Sequence, residues 1–161
     1  IMGRLGQQLS VDAWACHSAG LFEECGKAVL FRHDPAGYRA LLAQARSDAD
    51  LSAREHARFG VSHDALGAAL CETWGLDPAA VASVRHHVQL QETLEFPASL
   101  TRRPICALSV IARAMRVAPE SVEAVVQRVA APADLDPVLV QRAVHKVQTQ
   151  IDDAARAAAT P

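Results

Sequence analysis

Aromatic residues are scarce, at 4% of the chain, and no apolar run approaches the roughly 20 residues that a membrane-spanning helix needs. Beside a composition that is half apolar and dominated by Ala, Leu and Val, the first scarcity argues against a β-sandwich and for packed helices. The second excludes a helical membrane span. The opening residues IMGRLGQQLS also lack the basic, then apolar, then small-residue order of a secretion signal, so the reading is a soluble cytoplasmic chain. No charge of either sign is in excess: 16 Lys and Arg stand against 18 Asp and Glu, a net charge of −2. Neither a nucleic acid nor an anionic membrane is therefore expected as a partner. The four cysteines, Cys16, Cys25, Cys71 and Cys106, contain no CxxC pair, which argues against a cysteine zinc site or redox motif and for small apolar core residues.

With 161 residues the chain has the size of one domain, 1–161. Ile1, Met2 and Leu5 read as the end of an amphipathic helix already under way. Ser10 and Asp12 can cap a helix carrying Val11, Ala15, Ala19 and Phe22, and Gly20 and Gly26 predict a kink before a second run from Glu24 to Phe31. Asp34-Pro35 and Asp77-Pro78 are helix starts, because the carboxylate accepts from free N–H groups and proline has no N–H to lose at the first turn. Ser52-Ala-Arg-Glu55 has the spacing of a capping box, Ser62 can cap the helix after it, and Gly60 and Gly75 are stops. From Leu90 to Arg103 periodicity fails and a loop is expected, with His86-His87 at the helix end before it. Pro104 and Pro119 restart helices. In the last helix, Val138 to Ala158, Val140, Val144, Val147, Ile151 and Ala154 form a stripe spaced four, three, four and three. Such a stripe packs on its own domain or serves as a homodimer or relay seam.

The segment that demands explanation is GLFEECGK, Gly20 to Lys27, where two adjacent carboxylates interrupt an apolar helix. His63, in a first turn beside Asp64, and the pair His86-His87 are placed to face one cleft with Glu23 and Glu24. Imidazole and carboxylate ligands from separate helices are how helical metal phosphohydrolases hold their ions. An alternative is a structural polar network in which Lys27 pairs one glutamate and the histidines accept hydrogen bonds. His17, His33, His56 and His145 read as ordinary helix or helix-end residues.

GLFEECGK, the helix beginning Pro35-Ala-Gly-Tyr38, GVSHDALGAALCETWGLDP and VRHH together resemble the HDOD domain, the HD-related output domain of bacterial signalling proteins. The resemblance covers roughly residues 5–115, with residues 104–158 packing on or extending it. Its most specific parts are His63 with Gly67, Trp74-Gly75-Leu76-x-Pro78 and Arg85-His86-His87. It implies an HD-like bundle of about seven or eight helices, without the N-terminal helical half that HDOD proteins carry. In the parent superfamily of metal-dependent phosphohydrolases, the positions of Glu23 and Glu24 hold the His-Asp pair that binds metal, and a further histidine ligand lies upstream of Ile1. Glu23 lacks the imidazole that suits transition metals, and Glu24 sets its carboxylate one methylene further out.

The resemblance therefore implies a non-catalytic regulatory module of bacterial signal transduction, acting through another protein or a neighbouring signalling domain, with no cofactor expected. The retained contacts of its degenerate metal site would be Glu23, Glu24, Lys27, His63, His86 and His87. If a divalent metal binds, it falls to Glu23, Glu24, His63, His86 and His87. The competing reading is a metal-dependent phosphohydrolase acting on a nucleotide or cyclic dinucleotide.

Overall fold

The computed structural model describes residues 1–159, and no β-strand occurs among them. The helices are α1 (Met2–Leu9), α2 (Ala13–Phe22), α3 (Cys25–His33), α4 (Pro35–Gln44), α5 (Asp48–Phe59), α6 (His63–Thr73), α7 (Pro78–Thr93), α8 (Arg103–Val117), α9 (Val122–Val129) and α10 (Pro137–Ala159). The expected all-α, HD-like multi-helix bundle is borne out. No described helix is long and apolar enough to cross a membrane.

Helix α8 is the axis. Ile105, Leu108, Val110, Ile111 and Met115 are buried in one core with Leu5 of α1, Val126 and Val129 of α9, and Val140 and Val147 of α10. The valine stripe of α10 thus lies inside this chain's own core through Val147, while Ile151 is partly buried and Ala154 exposed. A smaller apolar cluster, Ala68, Cys71 and Val84 with Phe22 and Cys25 against it, joins α6 and α7 to α2 and α3. Between these clusters lies a polar core.

The proline starts behave as their chemistry predicts. Asp34 accepts from the Gly37 N–H at 2.9 Å, and Asp77 accepts from the Ala79 N–H at 2.7 Å, each just ahead of a proline in the first turn. Replacing Asp77 by alanine should cost about 1 kcal/mol of unfolding free energy, as N-cap removals do, measured by urea denaturation. Gly60 and Gly75 close α5 and α6 at φ 76° and 74°, in the left-handed region that glycine enters without penalty.

The kink expected between Gly20 and Gly26 is present as a break on Glu23 and Glu24, with Glu24 at φ −104°, ψ 11°. Several other local expectations are corrected. Asp12 caps α2, whereas Ser10 ends α1 in a left-handed conformation. Ser52 and Glu55 form no capping box, because α5 begins a turn earlier at Ser47, whose hydroxyl accepts from the Asp50 N–H at 3.1 Å. Ser62 precedes α6 without a side-chain cap bond; the Glu55 carboxylate accepts from the His63 N–H in its place, at 2.8 Å. Helix α7 runs on to Thr93, so His86 and His87 lie well inside it. The irregular stretch after it is shorter than 90–103, and its Leu94, Phe96 and Leu100 close over the main core.

Candidate functional site

Helix α5 supplies the group on which the polar core is built. Leu51 and Glu55 share the inward stripe of α5, so Glu55 enters the interior with no exposed surface. A buried carboxylate requires partners, and Glu55 has three bonds. Its Oε1 accepts from the Tyr38 hydroxyl at 2.5 Å, and its Oε2 accepts from the His63 backbone N–H at 2.8 Å and from His63 Nδ1 at 2.6 Å. Burial alone would push the Glu55 carboxyl upward, but the bonds from the His63 ring, Tyr38 and the His63 N–H outweigh it and hold it below the usual range. Burial, with Glu55 against it, pushes the Tyr38 phenol upward, so the phenol remains the donor.

These bonds fix His63. With Nδ1–H given to Glu55, the other nitrogen of a neutral ring carries a lone pair. His87 is fixed in the same sense, donating Nδ1–H to the Val84 carbonyl at 2.7 Å, one turn earlier on α7. The two rings lie 5.4 Å apart between centroids, both fully buried, and neither Nε2 has a hydrogen-bond partner. Glu24 arrives from the α2–α3 break, its Oε2 4.0 Å from His63 Nε2. One ligand atom from each of Glu24, His63 and His87 lies within 4.8 Å of the others, the one such group of three among the described residues.

Helix α3 can bring Glu24 this close because Gly26 lies directly on the first turn of α6, where a Cβ would overlap the His63 carbonyl oxygen. Lys27, one residue on, places its ammonium 2.8 Å from Glu24 Oε2 and 2.8 Å from Asp48 Oδ1, and Arg113 reaches the other Asp48 oxygen at 3.0 Å. Burial works against the Lys27 ammonium, but its bonds to Asp48 and Glu24 prevail and raise its pKa. Asp48 is lowered by Lys27 and Arg113 in spite of its own burial.

Of the six residues singled out in the sequence, four meet here: Glu24, Lys27, His63 and His87. Glu23 turns the other way, accepting from Ser109 Oγ at 2.5 Å and Gln91 Nε2 at 3.2 Å. His86, adjacent to His87 on a helix, projects from a different face and lines a shallow surface pocket with Leu76, Val81 and Arg85. Burial and then Arg85 hold its pKa below the ordinary imidazole value, with Asp64 acting weakly the other way. Glu55 and Asp48 belong to the constellation and were not singled out; a glutamate in register with Leu51 on an apolar stripe was the available signal for the former.

The buried, unpartnered Nε2 atoms facing a carboxylate fit a single divalent ion. Glu24, His63 and His87 would hold it, with Glu55 and the Val84 carbonyl as the outer partners that orient ligating imidazoles. The same residues do not fit a two-ion centre, since Glu23 points away to Ser109 and Gln91.

The chain matches the HDOD domain model over residues 1–90, more than half of its 161 residues. No curated protein and no solved structure matches it. On the family match, joined to an all-helical bundle that carries His63 and His87 in its interior, the chain belongs to the HDOD domain family of HD-like, signalling-associated modules.

Proposed function

We propose that the chain is a non-catalytic regulatory module of signal transduction that works through contacts with another protein or domain, its former metal cleft serving as a structural polar core. The observation that carries this reading is the separation of the tandem carboxylates. Glu23 is held by Ser109 and Gln91, while Glu24 shares the Lys27 ammonium with Asp48, so the two adjacent glutamates do not converge on one site. Hydrolysis of a phosphodiester by a two-ion mechanism needs both ions a few ångströms apart in one clamp, and one carboxylate with two imidazoles supplies ligands for one.

The test is turnover of bis-p-nitrophenyl phosphate and of cyclic dinucleotides by the purified chain in Mn²⁺, Zn²⁺ and Mg²⁺. No rate above the metal-only blank is expected. Turnover that disappears in both Glu24→Ala and His63→Ala would overturn the proposal and favour the phosphohydrolase alternative.

A second reading has its own observation, the two unpartnered Nε2 atoms. We infer that the cluster takes up one transition-metal ion when Lys27 releases Glu24, because an ammonium and a cation compete for the same carboxylate oxygen. A bound ion supplies Lewis acidity and cross-links α3, α6 and α7. Calorimetric titration with Zn²⁺ should therefore show at least about tenfold tighter binding in Lys27→Met than in the parent chain, with the gain lost on adding His87→Ala. Equal affinity in the parent chain and Lys27→Met would defeat this reading.

A further inference from the structure

Helix α2 carries an apolar stripe outward as well as inward. Trp14 is 76% exposed and Leu21 64% exposed, although each belongs to a residue class that folding ordinarily buries. They are seven residues apart, two turns or about 10 Å along the axis, and so lie on the same side of the helix. Beside them a groove opens between α1, α2 and α8. Its two sections, about 600 Å³ near Trp14 and about 250 Å³ near Leu21, adjoin and share Ile1, Gly3 and His17 in their linings. Close approach of α1 to α2 shapes it: a Cβ at Gly3 would meet the His17 Cβ at 3.2 Å, and one at Gly20 would meet the Met2 sulfur at 3.0 Å.

The charges of the groove set it apart from the rest of the surface. The chain carries a net charge of −2, yet the lining holds Arg4, Arg113 and Arg116 against Glu23. Glu23 is satisfied internally by Ser109 and Gln91, and Arg113 is bound to Asp48. Arg4 on α1 and Arg116 on α8 are exposed and hold no ion pair among the described residues.

An exposed pair of large apolar anchors two turns apart, flanked by free guanidinium groups, has the chemistry that receives an amphipathic helix with acidic flanks. We propose that the α1–α2–α8 groove docks an acidic amphipathic helix of a partner protein, whose apolar face covers Trp14 and Leu21 and whose carboxylates pair with Arg4 and Arg116. This rests on the reading of the chain as an interaction module and supplies the partner's chemistry.

The probe is a synthetic amphipathic helix with a leucine face and glutamate flanks, and a control peptide with lysine in place of every glutamate. The full chain carries Trp74→Phe, which leaves Trp14 as its one tryptophan. Binding is read from Trp14 emission and from the anisotropy of labelled peptide. The acidic peptide should bind and shift Trp14 emission to the blue, and the basic one should not bind. Arg4→Glu with Arg116→Glu should weaken binding at least about tenfold and flatten its salt dependence, and Leu21→Ala should weaken it at unchanged salt dependence. All three substituted residues are exposed.

No binding of the acidic peptide, or binding indifferent to the arginine reversals, overturns the proposal. So does sedimentation showing that the groove closes a dimer of this chain that Leu21→Ala dissociates. None of these readouts involves hydrolysis, so failure of the groove leaves the non-catalytic reading standing, and phosphodiester turnover would sink that reading without touching the groove.

Discussion

Glu55→Ala is expected to lower the unfolding free energy by about 3–5 kcal/mol, the scale seen when one partner of a buried charged network is removed. The substitution leaves the Tyr38 hydroxyl, the His63 N–H and His63 Nδ1 without acceptors in an interior where Tyr38 is 1% and His63 0% exposed. Each orphaned buried group costs about 1–3 kcal/mol, and a shared partner makes the three losses overlap. Ser52→Ala, one turn earlier on α5, removes only a 3.2 Å bond to Asp64 and should cost under about 1 kcal/mol. Urea denaturation of the two variants beside the parent chain tests the contrast; a Glu55→Ala cost no larger than that of Ser52→Ala would contradict this account of the polar core.

The same residue sets an acid dependence. Its carboxyl is held below the ordinary value of 4.5 in the folded chain. A depressed folded-state pKa contributes stability that is complete above the unfolded-state value and is lost as pH falls through the folded one. The difference between the parent chain and Glu55→Ala should therefore be full at neutral pH and shrink progressively below about 4.5. Urea midpoints of both chains across that range report it.

Gly26→Ala should be comparably damaging, with a cost of about 3 kcal/mol or more, at the upper end of what overpacking costs. The new methyl group would overlap the His63 carbonyl oxygen and lie 2.8 Å from the His63 carbonyl carbon and 3.0 Å from the Gly67 nitrogen. All three obstacles are backbone, so relief requires α3 and α6 to part. Glu24 and Lys27 flank the site, and their alignment with His63 would go with it. Gly67→Ala is the matched control. Its methyl would lie closest to side chains, Val84 Cγ1 at 3.2 Å and Cys25 Sγ at 3.3 Å, with the Gly26 nitrogen at 3.4 Å, and should cost about 1–2 kcal/mol. Thermal unfolding should place the Gly26→Ala midpoint well below that of Gly67→Ala; the reverse order would contradict the backbone-contact argument.

Helix class and most boundaries were legible because they are local chemistry. Asp34-Pro35, Asp77-Pro78, Gly60 and Gly75 each specify a backbone conformation within a few residues, and the structure uses each one that way. The capping-box reading of Ser52 to Glu55 failed because the same three-residue spacing also joins neighbours inside a helix, and only the cap at Ser47 decides between them. Glu55 was missed for that reason: a pattern accounted for it locally while its partners lay 8 and 17 residues away.

The pairs Glu23-Glu24 and His86-His87 were legible as a cluster but not as individuals. Adjacent side chains on a helix diverge by about 100°, so His86 and His87, both inside α7, cannot share the cleft. On α7 the buried positions Ala80, Val84, His87 and Val88 choose His87. At the α2–α3 break no periodicity exists to choose, and packing against Ser109 and Gln91 makes the assignment.

That break has a thermodynamic consequence. Glu23, half-buried, forms part of the lining of the α1–α2–α8 groove, and Glu24, one peptide unit away and exposed, reaches from the surface toward His63 and His87. The two carboxylates hang from one short backbone segment, so a displacement of that segment would move both. Were ligands at both places to favour different arrangements of that backbone, linkage would require each to shift the other's affinity by the same factor. Two adjacent glutamates thus serve two separate sets of partners, Ser109 and Gln91 on one side and Lys27 on the other, across a single peptide unit.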